Sequence, residues 1–179
     1  MEVSRLIKAG EKTSTGGHEL ASVVGIDQDG SFLSTADQYG ESSLWSGIDG
    51  NGMSLRGHTR KVLCSCFGPM GDVLATASAD STVKLWSTSS GELMQTLKGH
   101  KSEVKCVAFN KGGRTLCTGS SDGTVRVWRV MDGRCMFIFS EGEGADTTVT
   151  ACAFNPREGG DVLLASGRKD GQLRLWSNG

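Results

Sequence analysis

Residues 78–86 read SADSTVKLW, and residues 120–128, 42 positions later, read SSDGTVRVW. Trp stands at 45, 86, 128 and 176, at spacings of 41, 42 and 48, and a Gly-His pair stands at 17–18, 57–58 and 99–100. Each His precedes its Trp by 27 or 28 residues. A period of this length means that one supersecondary unit is written several times, and that each unit needs its neighbours to bury its apolar face.

The second unit, GHTRKVLCSCFGPMGDVLATASADSTVKLW, and the third, GHKSEVKCVAFNKGGRTLCTGSSDGTVRVW, keep turn, apolar and charged classes in step. The fourth carries Ala145 in place of His and three extra residues around Arg157 to Gly160. The first is the loosest, with Tyr39 where the others have Asp. Inside a unit, VLCSCF, VLATAS and TVKLW are short, rich in β-branched residues and bounded by turn clusters. A fourth run follows each of the first three Trp turns: Met53 to Arg56, Leu93 to Lys98 and Cys135 to Phe139. The expectation is an all-β chain of four-stranded sheets with no helical period. Its repeats would be 17–56 (degenerate), 57–98, 99–142 and 143–179, the last lacking its own fourth strand, within a single domain over 1–179.

Gly-His followed by three strands ending in Trp, at a period of 40 to 45, resembles the WD-repeat β-propeller family, whose blades are four-stranded antiparallel sheets around a channel. The resemblance runs from Gly17 to Trp176. It implies a structural tetrad in each blade, joining the Trp indole to a second-strand Thr or Ser, that hydroxyl to the His, and the His to an Asp in the turn before the Trp. These roles fall on Thr76, His58, Asp80 and Trp86 and on Thr118, His100, Asp122 and Trp128. They fall in part on His18, Thr35 and Trp45, where Tyr39 replaces Asp, and on Ser166, Asp170 and Trp176, where Ala145 replaces His. No Trp is followed by Asp, which weakens a reading as a substrate receptor of a cullin ligase.

The same resemblance implies a partner-binding end at the Gly-His turns, with candidates Thr59, Lys61, Ala79, Lys101, Glu103, Ser121, Asp146, Thr148 and Lys169. Basic residues Arg56, Arg60, Lys61, Lys98, Lys101 and Lys105 gather around two successive turns. The leading expectation is a non-catalytic scaffold or adaptor that binds protein partners inside the cell, in cytoplasm or nucleus. The alternative is an RNA- or ribonucleoprotein-associated subunit that uses this basic rim.

Chemistry finds little to stand on. All three His fall at repeat positions, the six Cys show no CxxC spacing and five of them lie in or beside apolar runs, and no cofactor or metal is implied. The pairs Asp27/Asp29 and Glu141/Glu143 lie in Gly-containing turns, and AGEKT at 9–13 lacks the order of a phosphate loop. With 19 basic and 20 acidic residues there is no bulk field toward nucleic acid or lipid, and no apolar run is long enough for a membrane span. Four units are few for this family, so the expectation is a small closed ring or an open partial propeller. VSRLIK at 3–8 is a candidate closing strand. An open arc would self-associate or pair with another propeller fragment.

Overall fold

The computed structural model describes residues 23–37, 39–47, 50–140, 146–156 and 162–177. The VSRLIK segment, His18, Ala145, the Glu141/Glu143 pair and the extra residues near 157–160 lie outside these. The described residues form four antiparallel sheets and no helix. Blade 1 is β1 (Val23–Ile26), β2 (Phe32–Ala36), β3 (Ser42–Ser46) and β4 (Gly52–Leu55). Blade 2 is β5 (Val62–Phe67), β6 (Val73–Ser78), β7 (Thr82–Ser87) and β8 (Leu93–Lys98). Blade 3 is β9 (Val104–Phe109), β10 (Thr115–Ser120), β11 (Thr124–Arg129) and β12 (Cys135–Ser140). Blade 4 has three strands among the described residues: β13 (Val149–Phe154), β14 (Val162–Arg168) and β15 (Leu173–Ser177). Among the described residues, no helix is long and apolar enough to cross a membrane.

Each blade is an up-and-down meander, because tight turns join alternating apolar strands too short to bury a face alone. The blades stack through their first strands, β1 on β5, β5 on β9 and β9 on β13, and the series does not close back on itself. The described residues therefore form an open arc. Between blades 2 and 3 the core joins Val83, Leu85 and Leu97 to Val107, Leu116 and Trp128, with Cys64 and Cys66 packed against it. Between blades 3 and 4 it joins Cys106, Cys117, Val125 and Val127 to Val149 and Leu164. The thiols thus fill narrow spaces between sheets, where a small side chain lets two strands approach. Cys135 differs from them and is exposed at the start of β12.

The turn after each second strand needs a left-handed residue. Glycine supplies it at Gly40 (φ 97°), Gly123 (φ 75°) and Gly171 (φ 85°), but blade 2 places Ser81 there at φ 69°. A Cβ in this region is disfavoured by roughly 1 kcal/mol. Ser81→Gly is therefore expected to stabilise the protein by about 0.5–1 kcal/mol, seen as a higher denaturant midpoint with an unchanged slope.

Candidate functional site

Blades 2 and 3 each contain a relay of buried polar groups. The Trp86 indole N–H donates to Thr76 Oγ1 at 2.8 Å, and Thr76 Oγ1 lies 2.8 Å from His58 Nε2. His58 Nδ1 lies 2.8 Å from Asp80 Oδ2. A carboxylate only accepts, so Nδ1 carries the proton, Nε2 accepts the Thr76 hydroxyl, and every bond points the same way from indole to carboxylate. Asp80 also accepts from Thr82 Oγ1 at 2.6 Å and from the backbone N–H of Thr59 at 3.1 Å. Blade 3 repeats the set: Trp128 donates to Thr118 at 2.9 Å, His100 Nε2 lies 2.7 Å from Thr118, and His100 Nδ1 lies 2.9 Å from Asp122.

With the His58 ring neutral, Nε2 is left free to accept the Thr76 hydroxyl. Burial pushes the His58 pKa down, against the pull of Asp80, and so keeps the ring neutral. Burial also pushes the Asp80 and Asp122 carboxyls up, but the hydrogen bonds from Thr82 and His58, and from His100 and Thr124, outweigh it and hold both below the usual carboxylate range.

The outer blades solve the same problem differently. In blade 4 the Trp176 indole donates to Ser166 Oγ at 2.9 Å. The position two residues before Asp170, serine in blades 2 and 3, is Arg168. Its buried guanidinium lies 2.8 Å from Asp170 Oδ2 and reaches the Asp146 carbonyl and Gln172 Oε1 at 3.3 Å. A cation thus meets the turn carboxylate that His meets in blades 2 and 3. In blade 1 Trp45 donates to Thr35 at 2.9 Å, Tyr39 is exposed, and Asp37 holds the turn by accepting from the N–H groups of Tyr39 and Glu41 at 2.8 and 2.9 Å.

The remaining candidates ring the end of the blades that carries these turns. Thr59, Lys61, Lys101 and Lys169 are exposed, whereas Glu103, Ser121, Asp146 and Thr148 are half-buried. Ala79 is buried beneath Arg60, whose Nη1 donates to its carbonyl at 3.4 Å, so it is no contact position. Glu103 pairs with Lys105, and that hydrogen bond leads in lowering its pKa, with Lys61 and Arg60 of blade 2 adding across the junction. Lys169 Nζ lies 3.0 Å from Asp146 Oδ2. Arg56 and Lys98 are exposed at the ends of the outer strands β4 and β8. Among the described residues, no ion pair involves Lys61 or Lys101.

At the opposite end of the inner strands, a half-open cavity of about 330 Å³ is lined by Ile26, Phe67, Phe109, Asp27, Asn110 and Lys111 among others. Its polar groups serve the turns: Asp27 accepts from the Phe32 N–H at 2.9 Å and Asn110 from the Thr115 N–H at 3.1 Å. Asp29 likewise accepts from the Ser31 N–H at 2.9 Å, so both carboxylates cap backbone groups of this turn. No group of three or more His, Cys, Asp or Glu that could hold a metal occurs among the described residues.

The relay sets the acid response. Below about pH 6.5 the unfolded chain takes up a His58 proton that the folded one resists, so stability falls as pH falls from there. The lowered carboxyls of Asp80 and Asp122 contribute stability that is present above about pH 4 and lost below it. A denaturation series from pH 7.5 to 5.5 is expected to show this slope, and His58→Gln to be less stable at pH 7 and to flatten it. Arg168→Met, which keeps the stem but leaves Asp170 without its cation, is expected to speed amide exchange in β14 and β15 more than in β6 and β7.

A profile of the WD domain, G-beta repeat, matches residues 51–87, 91–129 and 133–177. Among known proteins, the chain is 38% identical over 73 residues to the U4/U6 small nuclear ribonucleoprotein PRP4-like protein of Arabidopsis thaliana, covering 40% of this chain and 13% of that protein. It is 32% identical over 102 residues to the Target of rapamycin complex subunit LST8 of Mus musculus, covering 52% of this chain and 29% of that protein. The aligned stretches are thus less than a third of either relative. In three dimensions the chain is similar to the computationally designed Ika4 protein, with a TM-score of 0.75 at 24% identity, covering 96% of this chain and 100% of that one. That likeness is one of fold. With the profile matching well over half of its residues, and with the indole-to-carboxylate relay built twice, the chain belongs to the WD-repeat family, that of the WD domain, G-beta repeat.

Proposed function

We propose that the chain is a non-catalytic docking module, a scaffold or adaptor subunit of an intracellular protein complex in cytoplasm or nucleus, and that it receives its partner on the end of the blades bearing the Gly-His turns. The observation that carries this reading is the division of labour at that end. The polar groups of the relay all point inward to one another, while Lys61 and Lys101, three residues after His58 and one after His100, are exposed at the Gly-His turns of two adjacent blades. Hydrogen bonds from backbone N–H groups fix those turns: the Ala79 N–H donates to the Lys61 carbonyl at 3.0 Å, and the Lys101 N–H donates to the side-chain Oδ2 of Asp122 at 2.8 Å. Turns whose backbone is already fixed carry no loop-ordering cost on binding, which favours a specific contact over a diffuse one.

The charge pattern favours a protein partner over RNA. Glu103 takes Lys105 out of the basic rim and sets a negative charge beside Lys61 and Arg60, so the surface is a mosaic of both signs and not a continuous track for phosphates. Relatives named as subunits of a ribonucleoprotein and of a rapamycin-target complex are in keeping with a role in assemblies. The partner is expected to present acidic groups opposite Lys61 and Lys101.

Affinity capture with the intact chain is expected to recover a stable protein partner. The double variant Lys61→Glu/Lys101→Glu is expected to lose it by tenfold or more while keeping the wild-type melting temperature. Recovery that nuclease abolishes would point to RNA instead, and recovery indifferent to the double charge reversal would move the docking site elsewhere.

A further inference from the structure

The two ends of the arc are the two halves of one contact that the molecule already makes between its own blades. On the forward side, each inner junction uses the third strand: Leu44 of blade 1, Val83 and Leu85 of blade 2, and Val125 and Val127 of blade 3, none more than 3% exposed. On the backward side it uses the end of the first strand, a second-strand Leu and the Trp. Phe67, Leu74 and Trp86 of blade 2 pack on Leu44 and Leu55. Phe109, Leu116 and Trp128 of blade 3 pack on Val83, Leu85 and Leu97.

Both halves recur, uncovered, at the ends. Leu173 and Leu175 pair with Gly167 and Ala165 as Val83 and Leu85 pair with Ala77 and Ala75, yet they are 81% and 69% exposed. Ala151 and Ala153 of β13, at the places where Cys64 and Cys66 let the next blade close in, are exposed with them. At the other end Ile26 pairs with Leu33 as Phe67 pairs with Leu74, and Ile26 and Val24 are 65% and 70% exposed. Trp45 beside them is half-buried, whereas Trp86 and Trp128 are buried.

We infer that blade 4 of one copy docks on blade 1 of a second copy, and blade 4 of the second on blade 1 of the first, so that two chains complete one ring of eight blades. The occupant is a second copy because the surface that Leu173 and Leu175 lack is the one this chain displays at Val24, Ile26, Leu33 and Trp45, in the register it uses at its inner junctions. The contact is head to tail; used twice about a two-fold axis it leaves neither face in water. Eight blades lie within the range that propellers adopt. Three strands of about five residues give a face of about 14 Å by 17 Å. With both faces counted, two such junctions remove on the order of 1,000 Å², the threshold for a specific interface. This inference is independent of the docking end proposed above.

Light scattering on the full chain at micromolar concentration is expected to give twice the monomer mass of 18.9 kDa. Ile26→Glu and Leu175→Glu place a charge on an exposed position, and circular dichroism should show both folded. Each variant alone is expected to be monomeric, because each carries its altered face into both junctions. Mixed in equal amounts, the two are expected to form a dimer again through the one junction in which neither face is altered. A wild-type monomer, a Leu175→Glu chain that still dimerises, or a mixture that remains monomeric would overturn the inference.

Discussion

The carboxylate of Asp80 can only accept, so His58 holds its proton on Nδ1 and, as a neutral ring, accepts at Nε2 from the hydroxyl of Thr76, which itself accepts from Trp86. This one chain of bonds fixes the turn ahead of β7 relative to the Trp. Because Asp80 also receives the backbone N–H of Thr59, the relay ties that turn to the segment entering β5. Each buried group left without a partner would be destabilising by roughly 1–3 kcal/mol, so the set holds or fails together. Thr118, His100 and Asp122 impose the same logic on blade 3.

Stacking depends on these clasps. Trp86 and Trp128 are held by their N–H groups while their rings fill the junction with the preceding blade, so a bond within one sheet sets the surface offered to the next. The same coupling places Lys61 and Lys101 at a fixed offset on neighbouring turns. Among the described residues the stack ends in two apolar faces, around Ile26 and Leu175, that match in residue type what each inner junction buries.

Much of this was legible in the residues, because period and alternation are local signals. The Trp spacing and the runs before each Trp mark β5 to β7 and β9 to β11 to within a residue or two, and Leu93 to Lys98 is the observed β8. Ala145, at the His position of the repeat, gives no pointer to Arg168. The available signal lay elsewhere, in the RKD of blade 4 where the middle blades have SAD and SSD. Ala79 sits at a turn position that the repeat marks as a partner contact, but whether a turn residue is covered depends on what leans over it, here Arg60. The choice between closed ring and open arc depends on the rotation between successive sheets, which no single repeat encodes.

Nitrogen-15 shifts of the His58 and His100 rings at pH 7 probe the relay most directly, since they report which ring nitrogen carries the proton. The account requires the proton on Nδ1 in both blades and, at His58, a neutral ring with an unprotonated Nε2. An Nδ1 without its proton in either blade, or an imidazolium at His58 at that pH, would mean that the bond is not passed from indole to carboxylate, and the clasp as described would be wrong.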